Sequence, residues 1–131
     1  MGVSINWLKE YVDFKCSAQE LADQLTMAGI AIEGVEKLED DELLELDLTP
    51  NRADCLGLIN LAREVAALQG SQVKVPAVNL QESSEPVEDY IKIEVKNPDL
   101  CKRYAARIIK NVKIGPSPQW LQKKLESSGI R

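Results

Sequence analysis

Residues 43–68, LLELDLTPNRADCLGLINLAREVAAL, change their apolar period halfway along. Leu44, Leu46 and Leu48 alternate with Glu45 and Asp47, the period of two of a strand with one buried face. Thr49-Pro50-Asn51-Arg52 breaks the pattern, because Pro50 has no amide hydrogen and biases Thr49 away from helical geometry. From Cys55 the spacing becomes helical, with Leu58, Leu61, Ala62, Val65 and Leu68 on one broad face. Asp54 is placed to cap that helix and Gly70 to stop it. A half-buried strand that turns sharply into a buried helix is therefore expected, with the earlier residues packed against the pair.

Those earlier residues supply the packing partners. Ser4 can cap a short helix whose Ile5, Leu8, Tyr11 and Val12 share a face. Ser17-Ala18-Gln19-Glu20 matches the capping box and opens a second helix, with Leu21, Ala22, Leu25 and Ala28 inward and Gly29 as its stop. Residues 30–38 alternate imperfectly around Gly34 and read as a strand. The acidic run at 39–42 closes a hairpin onto the strand at Leu43. The expected fold class is α+β: over residues 1–75, a three-helix module with a β-hairpin wing, winged-helix-like in outline.

Residues 76–89, PAVNLQESSEPVED, have no period and read as a linker. Residues 90–96, YIKIEVK, alternate as a strand, and 103–114 form a second strand candidate. Ser117 and Pro118 can open a last helix with Trp120, Leu121 and Leu125 as its apolar stripe. Two strands and a helix make a partial mixed α/β segment over 90–131. It is expected to be incomplete alone, pairing with a second copy or packing back on the first module.

Composition narrows the function classes. Among 131 residues there is no histidine, which removes Ser-His and Cys-His nucleophile chemistry and the usual zinc ligand sets. Cys16, Cys55 and Cys101 have no CxxC spacing and read as small core residues rather than ligands or nucleophiles. No run is apolar enough to span a bilayer and the first residues lack a signal-peptide pattern, so a cytoplasmic chain with no membrane partner is expected. Charge is divided unevenly. Residues 1–88 hold 6 Lys and Arg against 17 Asp and Glu, whereas residues 89–131 hold 10 against 4. The acidic part is a poor platform for a phosphate backbone and the basic part a better one.

Three motifs carry a resemblance: INWLKEYVD at 5–13, ELADQLTMAGIAIEGVE at 20–36 and LTPNRADCL at 48–56. With CKRYAARIIKNVKIGPSPQWLQKKLESSGIR at 101–131, they make the chain resemble the N-terminal region of the bacterial phenylalanine–tRNA ligase beta subunit. The last stretch is similar to the start of that subunit's editing region. The resemblance implies a part of an α2β2 enzyme that uses ATP and magnesium to charge tRNA with phenylalanine. Its partners would be tRNA and the alpha subunit. Three departures accompany it. The tRNA-binding OB-fold domain that interrupts most bacterial relatives near residues 39–42 is missing, and Gly57 stands where the family has Ser. The editing-pocket residues lie beyond Arg131, and the aminoacylation site sits on the alpha subunit. The resemblance therefore implies no catalytic, cofactor-binding or metal residue within these 131 positions.

Two surfaces are candidates for contact. Arg52 reads either as an exposed contact to RNA or another domain, or as a local partner of a carboxylate such as Glu45 or Asp47; the local reading is favoured. Arg63-Glu64 reads as a helix-surface pair. Lys102, Arg103, Arg107, Lys110 and Lys113 are the candidates for tRNA phosphate, with solvated charge as the alternative. Trp7, Tyr11 and Trp120 read as core. The competing function class is a free-standing protein- or nucleic-acid-binding module.

Overall fold

The computed structural model describes residues Met1–Ile130 and divides into two units, Met1–Ala77 with the helical tail from Ser117 onward, and Val78–Pro116. The first unit is α+β. Its elements are β1 (Gly2–Ser4), α1 (Ile5–Lys9), α2 (Ala18–Met27), β2 (Ala31–Lys37), β3 (Glu42–Asp47), a 3₁₀ turn (Pro50–Leu56), α3 (Leu58–Gln69) and α4 (Gln119–Ser127).

The strands form one antiparallel sheet in the order β1-β3-β2, with Val3 opposite Leu44 and Val35 opposite Leu44 from the other side. The hairpin is thus no free wing, because β1 adds a third strand and places β3 at the centre. Three residues are too few to show a period, so β1 left no pattern in the sequence. The α+β class is as expected, with a three-stranded antiparallel sheet and helices packed on it in place of a two-stranded wing. The irregularity near Gly34 is a bulge, since the register shifts between Ile32 and Gly34 and leaves Glu33 over.

Leu44 and Leu46 are buried while Glu45 and Asp47 are exposed, as period two requires. They join Leu8, Val12, Leu21, Leu25, Ile30, Leu61 and Val65 in one core. Removing such a leucine from water stabilises the fold by about 1.5–3 kcal/mol before the entropy cost of ordering it. Helix boundaries follow local chemistry. Ser4 Oγ accepts from the Trp7 amide at 2.9 Å. Ser17 and Glu20 form the reciprocal capping box, which holds the Glu20 carboxyl below its ordinary range, chiefly through the Ser17 amide. Gly29 and Gly70 end α2 and α3 at φ values of 89° and 63°, where a side chain would be strained.

Helix α3 starts later than expected. Gly57 is its N-cap and contributes no side chain, whereas Asp54 sits inside the 3₁₀ turn. Leu68, expected on the buried face, is 42% exposed near the end of α3. In α4, Pro118 and not Ser117 is the N-cap, and Trp120 is 62% exposed instead of core. Cys55 is buried, Cys16 is intermediate and Cys101 is exposed, so the core reading of cysteine holds fully only for Cys55.

The second unit has a 3₁₀ turn at Val87–Asp89 and no strand. The two strands expected at 90–96 and 103–114 are not formed. Alternation prepares a face, but a strand also needs a hydrogen-bonded neighbour, and Asn111 at φ 57° leaves the extended region within the second candidate. Ile109, Val112 and Ile114 stay exposed as a result.

Replacing Leu44 by Ala is expected to cost about 2–5 kcal/mol in urea unfolding, and Ser17→Ala about 0.5–2 kcal/mol through the lost cap. Leu68→Ala is expected to stay within about 0.5 kcal/mol.

Candidate functional site

The turn at Pro50–Leu56 folds a guanidinium over two carboxylates. Arg52 donates from Nε to Asp54 Oδ1 at 3.2 Å and from Nη2 to Asp54 Oδ2 at 3.1 Å. The same Nη2 lies 2.9 Å from Glu64 Oε1 on α3 and 3.1 Å from the Cys55 sulfur. Arg52 is therefore paired locally, as favoured, but with Asp54 and Glu64 and not with Glu45 or Asp47. The Arg63-Glu64 reading changes accordingly: Arg63 is exposed and donates to Asn60 Oδ1 at 2.7 Å, while Glu64 faces Arg52. Asp54 failed as a helix cap because its carboxylate is already engaged by the fork, and the Asn60 side chain bonds its carbonyl at 3.0 Å.

The electrostatics follow from this geometry. The Arg52 hydrogen bonds hold the Asp54 carboxyl below the usual carboxylate range, and Arg52 itself is raised. Burial pushes the Cys55 thiol up, with its bond to Asp54 adding to the effect. A thiol held neutral in this way is a poor nucleophile. Asp54, Cys55 and Glu64 bring potential ligand atoms within 4.8 Å of one another. The set does not fit magnesium, which asks for an octahedral shell of oxygens and water. One donor is a thiol, and oxygens of both carboxylates already accept from Arg52.

A second cluster was missed in the sequence. Lys124 of α4 reaches Glu10 Oε2 at 2.6 Å, and its Nζ stands 5.2 Å from the Trp7 ring centroid and 5.7 Å from that of Trp120. Lys123 lies 3.7 Å from Asp40 in the acidic turn. The signal available was the spacing of four between Trp120 and Lys124, which puts both on one helix face.

The five expected tRNA contacts lie in the second unit and are exposed. Arg107 is 3.4 Å from Glu82. Lys110 pairs with Glu85 and with the Tyr90 hydroxyl, which raises Lys110 and lowers Glu85. Lys102, Arg103 and Lys113 have no ion pair among the described residues. The strand expected at 103–114, which was to carry Arg103, Arg107, Lys110 and Lys113, is not formed. Among the described residues no helix is long and apolar enough to cross a membrane.

Comparison with known proteins begins with a domain class: residues 100–131 match the B3/4 domain family. Much longer matches cover the rest. The chain is 45% identical over 130 residues to the phenylalanine–tRNA ligase beta subunit of Rhodopirellula baltica, covering 99% of this chain and 19% of that subunit. It is 46% identical over 125 residues to the Bacillus cereus subunit, covering 92% of this chain and 16% of the relative. The Carboxydothermus hydrogenoformans subunit is 54% identical over 105 residues, covering 79% of this chain and 12% of the relative. The chain belongs to the phenylalanine–tRNA ligase beta subunit family as a segment, spanning about a fifth or less of the relatives it matches.

Replacing Arg52 by Met is expected to raise the Asp54 titration midpoint toward the ordinary carboxylate value, read by carboxyl-carbon NMR. Asp54 has a depressed folded-state pKa. Its contribution is therefore present above the unfolded carboxylate value and is lost as pH falls through the lower folded one. In thiol labelling of the native chain, Cys101 is expected to react first and Cys55 only on unfolding.

Proposed function

We propose that this chain is a non-catalytic N-terminal segment of a cytoplasmic phenylalanine–tRNA ligase. In this reading it serves assembly with the alpha subunit and, through its basic tail, contact with tRNA. The observation that carries the reading is the identity of 45% across 99% of the chain to a named beta subunit. ATP and magnesium belong, in this reading, to the rest of the enzyme; the Asp54–Cys55–Glu64 cluster suits an arginine and not a hard cation. The B3/4 match at 100–131 supports placing the start of the editing-region domain within 90–131, after a linker at 76–89 and a first module at 1–75.

Lys102, Arg103, Arg107, Lys110 and Lys113 are the proposed tRNA contacts. They sit in the part of the sequence with excess positive charge, and three of them have no ion pair among the described residues. Phosphate contacts release counterions, so binding should weaken steeply with salt. Electrophoretic or anisotropy titration of the chain with tRNA across a salt series tests this. With Lys102, Arg103 and Lys113 all changed to Ala, the log–log salt slope is expected to fall by about 2–3, at roughly 0.7–0.9 per lost contact. An unchanged slope would remove the basic tail from tRNA contact.

A further inference from the structure

We propose that α4 is an electrostatic latch, docked reversibly on the β1–α1 surface and released by salt without unfolding the core beneath it. Three observations converge on this contact. The Lys124 ammonium is clasped by the Glu10 carboxylate at 2.6 Å and by two indole faces. Lys123 reaches toward Asp40 at 3.7 Å. The α4 backbone comes so close to β1 that a Cβ on Gly2 would stand 2.6 Å from the carbonyl oxygen of Ser127. No flexible side-chain end yields there, since the opposing atom is backbone. Gly2 is thus the seat of the helix.

The dock is built mostly from charge at partly open sites. Lys124 is 24% exposed and Glu10 50%, and the Lys123–Asp40 pair is more open still. None of the residues of α4 is fully buried, Leu121 and Leu125 included, which are partly exposed. Such pairs are screened within a few ångströms at molar salt, whereas the leucines of β3, α2 and α3 are fully enclosed and indifferent to it. The acidic first part and basic later part of the sequence are what make the latch. Two lysines from the basic part meet Glu10 at the end of α1 and Asp40 in the turn between β2 and β3. The chain leaves this unit at Ala77 and re-enters it at Ser117, so an open latch frees one end of the residues between.

The test uses amide hydrogen exchange of the full chain, with fluorescence as support because its two tryptophans both lie at the dock. Raising salt from 0.05 to about 1 M, where the Debye length falls to about 3 Å, is expected to speed exchange in α4 at least tenfold. Amides of β3 and α3 should keep their protection. Lys124→Met, which keeps the apolar stem, should open α4 at low salt, and Gly2→Val should do so by steric exclusion, each with a red shift of indole emission. Retained α4 protection in both variants overturns the proposal. So does joint loss of protection in α4, β3 and α3, which would make α4 part of the cooperative core.

Discussion

Strand β3 is bonded on both edges and buried on one face, and this double constraint governs the first unit. Leu44 pairs across to Val3 on one side and Val35 on the other. A slip of one residue would carry Leu44 and Leu46 to solvent and bring Glu45 and Asp47 inward. The core admits no such exchange, since among the described residues it contains no charged side chain. Once the register of β3 is fixed, the exit of the chain is fixed too, and the turn at Pro50–Leu56 must return it so that Leu61 and Val65 cover the same leucines.

Arg52 explains how that return is held. Its guanidinium spans the turn, through Asp54, and the first turns of α3, through Glu64. Ion pairs this open to water are screened and add little to stability. The fork therefore adds orientation more than stability, while the buried leucines and Cys55 supply the cohesion. The carboxylates are committed to arginine, and the thiol between them is kept protonated by burial.

Features set by neighbours in sequence were legible there, and those set by distant contacts were not. Ser4, Ser17 with Glu20, Gly29 and Gly70 act within four residues of themselves, and each did what its type requires. The alternation of 43–48 was likewise sufficient. By contrast, β1 is defined only by its pairing to β3, and the start of α3 depended on whether Arg52 or the helix amides would take the Asp54 carboxylate. Residues 90–96 show the same limit from the other direction. Their pattern prepares a strand, yet Ile91, Ile93 and Val95 remain between 38% and 43% exposed without a ladder partner. Of the candidate site, the local pairing of Arg52 was foreseen but not its partners, and the Lys124 cluster was hidden because Trp120 looked apolar enough to be core.

The uneven charge of the sequence takes on a different meaning once the pairs are seen. An acidic part and a basic part could each face an outside partner, and composition alone does not choose. In the structure, Lys123 and Lys124 answer Asp40 and Glu10 across more than eighty positions of sequence. Part of the apparent basicity of the tail is consequently spent inside the chain. Lys110 and Arg107 are likewise turned toward Glu85 and Glu82. A cation already paired must give up that carboxylate before it meets a phosphate, so its gain on binding RNA is a difference between two attractions. Lys102, Arg103 and Lys113 carry no such debt among the described residues. Any phosphate-facing surface of this segment has to be organised around those three, with the paired cations joining only if their carboxylates are released.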